Sequence, residues 1–342
     1  MTSPFISLSR RAVLFGAAAA GLAAAPLGAA ALAAPIPPAA AGLKPLRFAW
    51  NANAACLAPV ALAKSSGLFA KYGLDVELVN YSGSTDQLLE SLATGKADAA
   101  VGMALRWIKP LEQGFDVKLI GGTHGGCLRM LGVQGTGVTA DITSLKGKTV
   151  GTPDLGGPDK NFFSLLAQKR GLDPVKDIAW RQYPADLLPV AAEKGEIQAF
   201  SHSDPLTWLF LKRHSFLFEV ATNLTGEYLN RLCCLIGVRG SLLRQDRAAA
   251  ESVYRALLDA QTLTHAEPRL TAEAFQPYSP KASVEDLIAM LKSHTHGHSP
   301  VGTAFRQEIV AYAEELKQIN VLKPTTDPQK YADRVYVNVL AG

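Results

Sequence analysis

Residues 46–102 read LRFAWNANAACLAPVALAKSSGLFAKYGLDVELVNYSGSTDQLLESLATGKADAAVG. An apolar strand, a helix, a strand, a helix and a strand follow one another without a break. Residues 76–79 alternate before a Gly/Ser turn, residues 85–94 carry apolar positions at helical spacing, and residues 97–101 form a short apolar run. That order requires parallel strands joined by crossover helices, with loops at the strand ends free to bind a ligand.

The same grammar continues beyond residue 102. Residues 104–113 predict an amphipathic helix, 117–120 a strand that ends in GGTHGGC, and 128–133 a further strand. After a Gly-rich break at 135–139 the pattern restarts. SLKGKTVG (144–151) leads into a strand, Gly156-Gly157-Pro158-Asp159 opens a helix to Arg170, and strands at 178–183 and 198–201 flank a helix at 187–194. Residues 232–238 are an apolar run, and 245–339 read as mostly helical. About three hundred residues behind the leader suffice for two lobes, each with its own core.

Several phrases carry a resemblance. GLFAKYGLDV (67–76), SGS (82–84) and GKADAA (95–100) are similar to the substrate-binding proteins of nitrate/sulfonate/taurine-type ABC importers. The resemblance implies a two-lobe α/β fold of the type II periplasmic-binding-protein kind, with two hinge crossings. SLKGKTVGTP is similar to the point where such chains enter their second lobe, and 232–238 to the return crossing. The expected organisation is a leader at 1–34, a connector at 35–44, lobe 1 at 45–138 and 237–342, and lobe 2 at 139–236.

Arg10 and Arg11 stand before an Ala/Gly-rich stretch at 16–34, with Ala31-Leu32-Ala33 as a small-residue cleavage site. This reads as a secretory signal of the twin-arginine type and places the mature chain in the periplasm. Alanine and glycine partition poorly into hydrocarbon, which argues against a permanent membrane span. Without Arg10 and Arg11 the chain has 32 basic and 30 acidic residues, about +2 in net charge, and no basic-aromatic stripe. Nucleic acid is therefore not an expected partner. Four cysteines in an exported chain permit three full pairings. Adjacent Cys233 and Cys234 read as buried thiols, while a Cys56 to Cys127 bridge fits one lobe.

Ligands of open α/β sheets lie beyond the carboxyl ends of the strands. That rule selects Asn51, Asn53, Ser82, Ser84, Thr85, Met103, Thr123, His124, Gly156, Gly157, Asp159, His202 and Asp204. Ser82 to Thr85 and the Gly156-Gly157 turn each precede a helix, so free amides and hydroxyls would converge at two positive dipole ends. Placed opposite one another, they suggest a cradle for a small anion. Each could equally be a capped helix start. Asn51 and Asn53 offer amides or simply form a turn. His124 reads as an oxyanion donor, a structural histidine, or, with Cys56 and Cys127, a metal ligand. Trp50 and Trp107 could stack on a ligand or belong to the core.

Asp159 and Asp204 would repel an anion unless they cap a helix, pair with arginine or receive a ligand ammonium. Arg231 is the candidate compensating cation, or a surface residue. His294, His296 and His298 alternate in a loop between helices, far from the strand ends, and are expected to be solvated. The chain contains no phosphate-binding loop, nucleophile elbow, zinc-protease helix or dinucleotide fingerprint.

These readings converge on a monomeric receptor that captures a small anionic ligand without chemistry and passes it to a membrane permease and its ATPase. No cofactor or metal is expected. Two alternatives stand beside it: a receptor for pyrimidine precursors, and an enzyme on the same scaffold resembling the pyrimidine-precursor synthases. Those synthases are cytosolic and carry a cysteine-rich iron motif that this chain lacks.

Overall fold

The structure, a computed structural model, describes residues 42–81 and 86–341, apart from the side chain of His124. The leader and its connector, with Ser82, Gly83, Ser84 and Thr85, lie outside the described residues.

The opening stretch folds as its pattern predicts. β1 (Lys44–Trp50) runs parallel to β2 (Leu74–Asn80) in a continuous register from Lys44 opposite Leu74 to Trp50 opposite Asn80. Between them lie α1 (Ala58–Ser65) and α2 (Leu68–Lys71). Gly67 supplies the left-handed turn that separates these helices, at φ 72°, which a side chain would strain. α3 (Asp86–Ala93) then returns the chain to β3 (Ala99–Met103), buried along its whole length and parallel to β1. α4 (Ala104–Glu112) presses Leu105, Ile108 and Leu111 into the core. Each such side chain, fully buried, contributes roughly 1.5–3 kcal/mol.

β4 (Val117–His124) completes the first run, and β5 (Leu128–Val133) and β6 (Lys148–Thr152) follow. α5 (Pro158–Lys169), β7 (Ile178–Gln182), α6 (Leu188–Glu193), β8 (Ala199–Ser203), α7 (Leu206–Arg213) and β9 (Leu217–Thr222) carry the chain to β10 (Cys234–Arg239). Two five-stranded sheets result, ordered β2-β1-β3-β10-β4 and β7-β6-β8-β5-β9. Both are mixed, since β10 is antiparallel to β3 and β4, and β5 is antiparallel to β8 and β9. Helices flank them, with α8 (Gly240–Gln245), α9 (Arg247–Ala266), α10 (Pro268–Phe275), α11 (Val284–Lys292), α12 (Gly302–Gln318) and α13 (Pro328–Val335) after β10.

Sheet membership moves the expected lobe boundary. β5 belongs to the second sheet, so the first crossing lies at residues 125–127 and not at 138/139. The second crossing spans 223–233, because β10 is already in the first sheet at Cys234. A short strand between two Gly-rich breaks has the same local pattern in either sheet; only its partners decide. Trp107 is fully buried under β3 and β10, where a Cβ on Gly102 would overlap its indole. It is core, as is Trp50, which meets the Phe275 and Tyr278 rings edge-on.

Candidate functional site

Strand ends of both sheets face a cavity of about 650 Å³. The first sheet contributes Asn51, Asn53 and Met103, and the second Asp154, Asp159, Gln182 and His202. Asp186, Leu206 and Leu209 extend the second wall, and the loop after α10 closes one side with Tyr278 and Lys281. Much of the lining is apolar: Leu57, Leu128, Pro153, Pro158 and Pro184 lie there too.

The loop after β1 is shaped by its asparagines. The Asn53 amide donates to the Asn51 side chain at 2.8 Å, and the Ala52 amide to Asn80 at 3.1 Å. Asn51 thus combines the turn-forming and cavity-lining readings. Asp159, in the first turn of α5, is buried with its Oδ2 accepting from the hydroxyls of Thr152 at 2.9 Å and Ser201 at 2.7 Å. Burial pushes its carboxyl above the ordinary carboxylate range, with His202 and the two hydroxyls holding it back. Burial pushes the His202 imidazole below its ordinary value, against the pull of Asp159. Burial thus acts on both groups in the same sense, disfavouring the charged form of each.

Several residues chosen from the sequence lie elsewhere. Thr123 is buried on β4 away from the cavity, and its hydroxyl has no hydrogen-bond partner among the described residues. His124 ends β4. Gly156 borders a second cavity of about 390 Å³ beside Arg106, and its amide donates to Asp154 Oδ1 at 2.8 Å. The Gly157 amide donates to the Asp154 carbonyl at 2.9 Å. Both amides of the expected cradle are thus engaged inside their own turn. Ser82, Ser84 and Thr85, its other half, fall outside the described residues.

Asp204 does not line the cavity. Its carboxylate accepts from Arg129 Nε at 3.0 Å, His294 Nε2 at 2.8 Å, Thr207 at 2.6 Å and the Trp208 amide at 3.0 Å. It is the buried hub at the start of α7. Burial alone would raise its pKa, but the His294 hydrogen bond and the Arg129 charge hold it below the usual range. The alternating histidines consequently differ from expectation: His294 and His296 are buried, because a buried carboxylate draws His294 inward as a donor. His298 reaches Glu308. Arg231 pairs with Glu308 at 3.2 Å and Glu315 at 3.0 Å, on α12 and outside the cavity lining, so it supplies no cation there.

The charges that do line the cavity leave little for an anion. Asp154 pairs with Arg106 at 3.2 Å, and Arg106 also holds Asp86; Lys281 pairs with Asp186 at 2.7 Å. Among the described lining residues Lys281 is the one lysine or arginine, against Asp154, Asp159 and Asp186. Sequence reasoning missed Gln182, Asp186, Tyr278 and Lys281. Gln182 ends β7 and was within reach of the strand-end rule; the 278–281 loop lies between helices and offered no signal.

Solved structures share this arrangement. The periplasmic aliphatic sulphonate binding protein SsuA from Escherichia coli aligns with a TM-score of 0.70 at 17% identity, covering 84% of this chain and 91% of that one. The periplasmic nitrate-binding protein NrtA from Synechocystis aligns at 0.71 and 16%, covering 86% of each. The chain has the type II periplasmic-binding-protein fold. This is the fold that residues 67–100 implied. The family described as NMT1/THI5 like matches residues 55–201, less than half of the chain. A 4-amino-5-hydroxymethyl-2-methylpyrimidine phosphate synthase from Uromyces fabae is 32% identical over 103 residues, 30% of either chain. The chain thus matches under a third of that relative's length. Among the described residues no helix is long and apolar enough to cross a membrane.

Proposed function

We propose that the chain is an extracytoplasmic solute-binding receptor of an ABC importer, exported by the twin-arginine route, whose cleft takes an aminated heterocycle of pyrimidine size. The observation that supports this is the composition of the cavity: apolar walls, one aromatic ring and buried acceptors, with one paired lysine. A site of that kind favours a flat, partly apolar molecule that donates hydrogen bonds. The ligand's amino group faces Asp159, its ring lies against Tyr278, and Asn51 and Gln182 supply further polar contacts. A free sulfonate or nitrate would meet Asp159 without a compensating cation among the described residues. The partial likeness to a pyrimidine phosphate synthase agrees in ligand class with this reading.

The fold neighbours are named as binding proteins, which supports capture over catalysis. The test is a thermal-denaturation panel of aminopyrimidines, alkanesulfonates and nitrate, with each ligand recovered afterwards by chromatography. A ligand at a hundred times its Kd stabilises the native state by about 2.7 kcal/mol. We expect stabilisation by an aminopyrimidine that is recovered unchanged. A chemically altered pyrimidine would establish an enzyme, and stabilisation by the sulfonate alone would return the site to an anion receptor.

A further inference from the structure

All four cysteines converge at the base of the two crossings. Cys56 lies in the short turn Ala55–Leu57, Cys127 in the first crossing, and Cys233 and Cys234 at the end of the second. All four are buried and unbridged in the structure. The Cys234 and Cys56 sulfurs are 3.2 Å apart, and those of Cys127 and Cys233 are 3.8 Å apart. Cys233 closes the second crossing and Cys234 opens β10, so two adjacent residues meet two different sulfur partners at these distances. Among the described residues no group of three or more His, Cys, Asp or Glu is placed to hold a metal ion. None of the four lines the ligand cavity.

We propose that the cluster is a thiol-disulfide site, in which Cys56 joins Cys234 and Cys127 joins Cys233 when the chain meets a disulfide oxidant. In each pair one thiolate attacks the oxidant's sulfur, expelling one thiol, and the partner thiolate then attacks the mixed disulfide and expels the second. Each new S–S bond passes two electrons and two protons to the oxidant, whose own S–S bond is broken to leave two thiols. The Cys127 to Cys233 bridge fastens one crossing to the other while leaving the cleft open. Both bridges close long loops, of sequence separation 106 and 178, so each restricts the unfolded chain strongly. Burial pushes the Cys56 and Cys234 thiols up, and the neighbouring thiols with burial do the same at Cys127, so the folded reduced protein reacts slowly with the oxidant.

The reduced, unfolded full chain would be refolded with glutathione disulfide, its intact mass measured, and its peptides mapped without reduction. The mass should fall by two hydrogens per bridge, with peptides joined as 56–234 and 127–233, and added reductant should lower the urea midpoint. The double variant C127S/C233S should retain only the 56–234 bridge; if it does not fold, the wild-type peptide map decides alone. An unchanged mass, or peptides joined as 56–127 or 233–234, would overturn the assignment.

Discussion

Changing Asp159 to Asn removes one charge from the cleft while preserving shape. Both hydroxyl donors, Thr152 and Ser201, converge on the single oxygen Oδ2, so the amide oxygen of Asn can take that place and keep both hydrogen bonds. The folded structure should therefore tolerate the change. What is lost is a charge-assisted acceptor for the ligand's amino group, worth about 1.5–3 kcal/mol, or roughly a tenfold to 150-fold weaker Kd.

The pH dependence follows from the raised carboxyl pKa. A donor-bearing ligand favours the ionised form, so binding releases a proton, and wild-type affinity should fall as the pH drops through that raised value. The Asn variant should show no such slope. In the unliganded protein the sign is opposite for stability. A raised carboxyl contributes stability that is present below the unfolded value and is lost as pH rises through the folded one, so the variant should gain on wild type at higher pH. Calorimetric titration across pH, paired with urea unfolding, reads both effects. Equal affinity in the variant, or wild-type binding that tightens on acidification as an anion's would, refutes the reasoning.

Replacing Asp204 with Ala leaves the His294 donor without its carboxylate and Arg129 with Glu219 as its remaining carboxylate partner, and urea unfolding should show a loss of about 1–3 kcal/mol. Because the Asp204 pKa is lowered, its contribution is present above the unfolded carboxylate value and should fade as pH falls through the lowered one. Arg231 to Ala should leave ligand affinity unchanged in calorimetry while costing about 1–3 kcal/mol of stability, since Glu308 and Glu315 lose their shared cation. Gly102 to Ala forces a methyl into the Trp107 ring and should lower the urea midpoint by an amount equivalent to about 1–3 kcal/mol.

The fold was legible because its signal is local and repeated. Apolar runs, apolar positions at helical spacing and turn glycines between residues 46 and 102 fix parallel strands without knowledge of anything distant. The boundary between lobes was not, since β5 reads alike in either sheet and its pairing with β8 and β9 depends on residues some seventy positions away in β8 and ninety in β9. At the site, the strand-end rule placed Asn51, Asn53, Met103, Asp159 and His202 on the cavity wall. It erred where a polar residue had a second, non-local partner. Asp204 is claimed by Arg129 and His294, Arg231 by α12, and the Gly156 amide by Asp154. Such pairings leave no period in the sequence, and neither does the 278–281 loop.

Head-to-head calorimetric titration of the purified chain with an aminopyrimidine and with an alkanesulfonate tests the central claim most directly. The cation-poor cleft predicts saturable one-to-one binding of the aminopyrimidine, with the sulfonate failing to compete. Tighter binding of the sulfonate would contradict it.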